Sequence, residues 1–216
     1  MVEPAGSVID VIVTEVHLPP GMAGRDALSF DVRCFAVPAR GGIVLVDAGT
    51  PGTANEIEAS IGRLGGTWQD ITDVVLTHRH VDHVGGLAEV ADRAPRARIW
   101  AGRGDVPEIA AACGRDVSAV EEGDRVGDLT VIESPGHTPG HISLFLSDHA
   151  VLLIGDVIGA MGGQVDFGPA AFRADAAGNR VSLAKMLDLG ADRIVFSHGA
   201  EIPEPNQRIR ELLASS

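Results

Sequence analysis

The chain has 216 residues, 45% of them hydrophobic and 22% charged, with 17 basic against 30 acidic side chains and a formal net charge of −13. That composition is ordinary for a globular protein and excludes a disordered or fibrous chain; the length suits one domain with a sizeable core, expected to span residues 1–216. Such acidity opposes phosphate backbones and anionic lipid surfaces, so neither nucleic acid nor a membrane is an expected partner. No apolar run approaches the roughly 18 residues of a membrane span, and residues 1–10 lack the basic start of a secretory signal. Two cysteines, Cys34 and Cys113, are too few for a disulfide framework. A cytoplasmic location is expected.

In chain order, residues 8–17 read as a strand, followed by a Pro-Gly loop over 18–29. Strands follow at 30–37 and 43–47, with a hairpin turn at Ala39-Arg40-Gly41-Gly42 between them. Residues 53–64 carry Ile57, Ile61 and Leu64 at helical spacing. Residues 73–77 form a short apolar strand, 84–94 a helix, 97–101 a strand and 106–113 a short helix. The second half reads as strands at 129–133, 142–146 and 151–154, a helix at 179–189, a strand at 193–196 and a final helix at 205–212. Mixed sheets covered by helices fit this alternation better than a pure sandwich of strands.

Histidine is scarce, eight in all, yet three fall within six residues: His78-Arg79-His80-Val81-Asp82-His83. In extended backbone His78 and His80 share a side and can clasp one cation. Asp82 and His83 follow the turn into a helix, point elsewhere, and can reach a second cation. Imidazole and carboxylate together suit Zn, Fe(II) or Mn. Three more metal-capable residues each follow a short apolar or Gly/Pro segment: His137, Asp156 and His198. If their strand ends converge, His78, His80 and His137 hold one ion, Asp82, His83 and His198 the other, and Asp156 bridges. Asp82 has a second reading as the N-cap of the following helix, and Asp156 as a turn residue after Gly155.

These segments, with Ser134-Pro135-Gly136-His137-Thr138-Pro139-Gly140-His141, Ile154-Gly155-Asp156, Phe196-Ser197-His198-Gly199 and Val46-Asp47-Ala48-Gly49, resemble the metallo-β-lactamase-fold hydrolase superfamily over nearly the whole chain. The resemblance implies an α/β fold, a four-layer αββα sandwich of two mixed sheets flanked by helices, with metals at one edge of the sheets. It implies a dinuclear hydrolase with two Zn2+ (Mn2+ or Fe2+ as alternatives), in which a metal-bridging hydroxide attacks the carbonyl of an ester, lactone or thioester. Asp82 is the expected catalytic residue, orienting the nucleophile and moving its proton. The partners expected are a small-molecule substrate and, for the chain itself, a homodimer.

Departures narrow the subclass. Asp156 argues against a true β-lactamase, which lacks a carboxylate there. The chain ends 18 residues after His198 (216 minus 198), so the extra helical domain of glyoxalase-II thioesterases is not expected. No tyrosine is present for the mechanism of acyl-homoserine lactonases. His80 stands where flavodiiron-type members carry Glu. Two alternatives remain: a mononuclear iron persulfide dioxygenase, which leaves His83 and His198 idle, and a non-catalytic metal-stabilised binding domain.

Around the site, Asp47 is expected to orient the histidine run by hydrogen bonds. His141 is expected to pack beneath the site without ligating, while His17, His149 and Arg79 face solvent or turns. Two loops are candidate substrate walls: Leu18-Pro19-Pro20-Gly21-Met22, and residues 161–173 with Phe167, Phe172 and Arg173. Arg173 is a candidate for an anionic substrate group.

Overall fold

A computed structural model describes residues 8–21 and 25–215 of the chain. Strands β1 (Asp10–Leu18) and β2 (Leu28–Ala39) form a long antiparallel hairpin. Strand β3 (Gly42–Val46) turns back beside β2 and is followed by helix α1 (Ala54–Arg63). Next come β4 (Ile71–Leu76), helices α2 (Val81–Val84) and α3 (Leu87–Arg93), β5 (Arg98–Gly102), α4 (Val106–Cys113) and β6 (Ser118–Val120). These six strands form one sheet in the order β1-β2-β3-β4-β5-β6, antiparallel at first and parallel from β3 onward.

The second sheet takes β7 (Arg125–Val126), β8 (Leu129–Glu133), β9 (Ile142–Leu146) and β10 (Val151–Leu153), then β11 (Arg193–Val195) after helix α5 (Ala176–Met186). It is antiparallel except for the β10–β11 pair. Helix α6 (Pro205–Ala214) closes the described chain. Among the described residues no helix is long and apolar enough to cross a membrane.

Period-two alternation builds the four layers. On β3, Ile43 and Leu45 face α1 and α3, whereas Val44 and Val46 face the second sheet. On β10, Val151 and Leu153 meet that same inter-sheet core, while Leu152 turns outward to α5 and α6. Each such side chain contributes roughly 1.5–3 kcal/mol by leaving water. The result is helix, sheet, sheet, helix, as the resemblance implied.

Several element bounds differ from the sequence reading. Strand β2 begins at Leu28, so the loop before it is shorter than residues 18–29. The helix expected over 84–94 is two helices, α2 and α3, split at Gly85-Gly86. Both glycines touch neighbouring backbone: a Cβ on Gly86 would lie 2.3 Å from the Ala48 carbonyl oxygen, and one on Gly85 would lie 2.5 Å from that of Val81. Helix α5 starts three residues before Asn179, where the Asp175 carboxylate accepts from the Ala177 and Gly178 amides.

Candidate metal centre

The C-terminal ends of strands from both sheets open onto one rim. β4 delivers the segment His78 to His83, β8 leads to His137, β10 to Asp156 and β11 to His198. The structure therefore brings together all seven residues singled out in the sequence. His80 Nδ1 lies 3.1 Å from His78 Nε2 and 2.9 Å from His137 Nε2. Asp82 Oδ2 lies 3.5 Å from His198 Nε2 and 3.9 Å from His83 Nε2. Asp156 stands between these two groups. Its Oδ2 is 3.4 Å from His137 Nε2 and 3.1 Å from His198 Nε2, and its Oδ1 is 3.4 Å from His83 Nε2.

Hydrogen bonds on the outer side of the rings decide which nitrogen faces inward. Thr77 Oγ1 donates to the Asp47 carboxylate, so it can only accept from His78 Nδ1, 3.1 Å away. His83 Nδ1 donates to Asp47 Oδ2 at 2.8 Å, and His198 Nδ1 to the Asp31 carbonyl at 2.7 Å. With Nδ1 committed to these outer partners, all three rings present Nε2 inward, the nitrogen a cation would take. Asp47 thus has the orienting place expected of it. It is fully buried, and its backbone takes a left-handed φ of 61°, which Asp tolerates better than most residues.

The inward atoms fit a cation better than they fit one another. His83 Nε2 and Asp156 Oδ1 are buried without a hydrogen-bond partner, a state costing about 1–3 kcal/mol per group when nothing compensates it. Three triplets of ligand atoms each lie within 4.8 Å of one another: His78, His80, His137; His78, His83, Asp156; and Asp82, His83, His198. Burial holds the His78, His80 and His137 imidazoles below the usual histidine range, His137 at about 4, so they stay neutral and able to ligate at pH 7. Burial is also the largest single effect on His83 and His198, but the surrounding carboxylates, Asp156 and Asp82 with Asp47 beside His83, together outweigh it and raise both. Burial pushes Asp156 up, while His198 and His83 more than reverse this and hold it well below the carboxylate range.

Asp82 caps neither helix; the position before α2 is His80 and the one before α3 is Gly86. Its carboxylate turns instead toward the cavity over the centre. His141 packs below as expected. Its Nε2 accepts from the Asp156 amide at 2.9 Å, so its Nδ1 carries the proton and donates to Ser134 Oγ at 2.8 Å. Ser143 Oγ, 3.0 Å from Ser134 Oγ, ends the chain on the Ile154 carbonyl. Gly155 is obligatory here: φ is +63°, and a Cβ would meet the His141 ring at 2.6 Å. His17 on β1 and His149 are both exposed and neither lines the cavity.

Asp105 was not singled out in the sequence. It is wholly buried and ties the histidine run to the His137 loop. Its Oδ2 accepts from the Arg79 amide at 3.2 Å and Thr138 Oγ1 at 2.5 Å, and its Oδ1 from the Gly140 amide at 3.0 Å. Arg79 points away from the centre, as expected, and pairs with Glu108. Of the proposed walls, Leu18, Met161, Phe167 and Phe172 line the cavity, and Arg173 does not; Met22 lies outside the described residues.

A family model described as the metallo-beta-lactamase superfamily matches residues 30–111 and 114–198. The chain belongs to this superfamily. Its fold is also that of solved members. A metallo-beta-lactamase from Pontibacter korlensis superposes with a TM-score of 0.73 at 19% identity, covering 95% of each chain. A metallo-beta-lactamase family protein from Thermus thermophilus gives 0.68 at 23% identity, covering 94% of this chain and 78% of that one. In sequence, the uncharacterized protein YobT of Bacillus subtilis is 28% identical over 85% of this chain and 90% of its own length. A hydroxyacylglutathione hydrolase of Rhodospirillum rubrum is 35% identical over 81% of this chain and 62% of its own. One of Rhodopseudomonas palustris is 40% identical over 58% and 46%. The chain thus spans about half the length of the hydrolases it matches.

Proposed function

We propose that this superfamily member is a metal-dependent hydrolase acting on the carbonyl of an ester, lactone or thioester. One observation carries the reading: two groups of inward nitrogens share one carboxylate, Asp156, whose Oδ1 is buried without a hydrogen-bond partner. His78, His80 and His137 would hold one divalent cation, Asp82, His83 and His198 a second, with Asp156 common to both. Zinc is the first choice for this nitrogen-rich set, with Mn2+ or Fe2+ next. Such a pair supplies Lewis-acid polarisation of the carbonyl and lowers the pKa of water toward neutrality.

The chain's own residues do the rest. Asp82 Oδ2 accepts a hydrogen bond from the attacking water, sets its direction, and receives its proton for delivery to the leaving group. Asp47, Thr77 and the Asp31 carbonyl keep the imidazoles from turning. His141 holds the Asp156 loop from below while remaining neutral, because burial keeps its pKa well down. The hydroxyacylglutathione hydrolase relatives support the thioester among the three substrate classes.

The test is metal content of protein purified without added metal, followed by an ester, lactone and thioester panel. About two zinc or manganese ions per chain with hydrolysis of the panel is the expected outcome. About one iron per chain, no hydrolysis, and oxygen uptake with persulfides would replace this reading with the dioxygenase.

A further inference from the structure

The cavity above the centre has a volume of about 270 Å3. One wall is the β1–β2 hairpin. Its register sets Val16 opposite Phe30 and Leu18 opposite Leu28, so one face of the ribbon presents two apolar pairs to the cavity. The intervening His17 and Ser29 turn to the other face and bond each other. The facing wall is the segment after Asp156, with Met161, Phe167, Pro169 and Phe172. At the mouth, Val81 is 70% exposed and Phe172 36% exposed. Apolar groups left in water around a concave site mark a surface awaiting a ligand.

Away from the metal-ligating residues, the charge lining the cavity has one sign. No lysine or arginine is among its described lining residues. Arg173 and Arg180 lie near, but both stack on the Phe167 ring, at 5.7 and 5.5 Å. Apart from the candidate ligands, the only ionisable lining residue among the described ones is Asp166, an exposed carboxylate. A carboxylate borne by the substrate away from the metal-ligating residues would therefore meet apolar walls and a like charge, with no lysine or arginine among the described lining residues to receive it.

We propose that the cavity selects neutral substrates whose acyl group is an extended apolar chain, seated between the hairpin and the loop after Asp156. The proposal rests on the hydrolase reading for its chemistry and names the substrate class within it. A glutathione thioester, which carries carboxylates, is then a poor substrate despite the relatives.

The experiment uses the metal-loaded full chain and the p-nitrophenyl esters of acetate, butyrate, hexanoate and octanoate. It adds paired thioesters of one acyl group, one on glutathione and one on an uncharged thiol. In parallel, calorimetry measures binding of N-methylbutanamide, N-methylhexanamide and N-methyloctanamide, whose unstrained amide bonds resist hydrolysis. The expected result is a gain in kcat/KM of up to about fourfold per added methylene until the chain reaches the open mouth. The same trend is expected in amide affinity, and the neutral thioester should be preferred over the glutathione one. Hydrolysis that is flat with chain length, or faster with the glutathione thioester, overturns the substrate class while leaving the hydrolase reading intact. No hydrolysis, but amide binding that tightens with chain length, sinks the hydrolase reading and keeps the apolar site. Amides that bind with no length dependence overturn the proposal whatever the esters do.

Discussion

Replacing Asp105 by alanine should weaken the protein far more than an ordinary surface change. Three donors converge on this carboxylate: the Arg79 amide, the Thr138 hydroxyl and the Gly140 amide. Hydrogen bonds to a charged group contribute roughly 1.5–3 kcal/mol each, and a buried donor left unpaired costs about 1–3 kcal/mol. The Thr138 hydroxyl can turn elsewhere; the two amides cannot. The expected loss for Asp105→Ala is therefore about 3–5 kcal/mol, a large part of a typical folding free energy of roughly 5–15 kcal/mol. Asp105→Asn keeps the shape and one acceptor for Gly140 but turns an amide group toward the Arg79 N–H, and should lose about 1–3 kcal/mol. Urea denaturation of the metal-free protein reads both losses. Metal titration adds a signature of position: because Asp105 joins the His80 and His137 segments, affinity at the His78–His80–His137 triplet should fall more than at Asp82–His83–His198. An Asp105→Ala protein within about 0.5 kcal/mol of the parent would mean that this carboxylate does not tie the two segments together.

Other outcomes follow from the same geometry. Asp82→Asn should cut kcat by roughly a hundredfold or more while KM stays within a few-fold, because proton transfer is lost and the cavity walls are not; equal losses in kcat and in substrate affinity would remove its assigned role. Gly155→Ala forces a methyl group against His141 in a left-handed backbone and should cost about 1–3 kcal/mol in chemical denaturation. Chelation should lower the melting temperature: occupancy at a hundredfold above Kd contributes about 2.7 kcal/mol per site, or roughly 5–10 °C in a chain of this size. A melting curve indifferent to chelator would mean that the inward lone pairs bind nothing.

Much of the candidate site was legible because its parts are short, polar and placed beside apolar strands. His78, His80 and His83 crowd one stretch, and Asp156 and His198 each follow a buried strand end, so their positions allowed a common rim and the family resemblance implied one. Asp105 escaped notice for a physical reason. It stands before Val106-Pro107 like any helix-capping residue, and two of its three donors come from a loop more than thirty residues onward. In the fold, β3, β4 and β10 declared themselves by continuous apolar runs. Ser118–Val120 and Arg125–Val126 did not, being too short and too polar for alternation to show. The break between α2 and α3 could be read only from the approach of the Ala48 carbonyl to Gly86, a tertiary contact. The start of α5 carried a local sign, Asp175 ahead of Ala176-Ala177-Gly178, but lacks the apolar spacing that marks a helix.

The contact that steadies His198 comes from the main-chain oxygen of Asp31. Substituting Asp31 removes the carboxylate that accepts from the Gly199 amide and pairs with Arg33, yet every replacement still brings its own carbonyl to the same place. A saturation scan would register only the loss of these side-chain contacts and miss the main-chain support altogether. What the histidine senses is the placement of β2 itself, the strand that also carries Phe30 against its ring at 5.2 Å. Selection can therefore vary the letters along this part of the hairpin and retune what enters the cavity, while the alignment of His198 is inherited from the path of the strand.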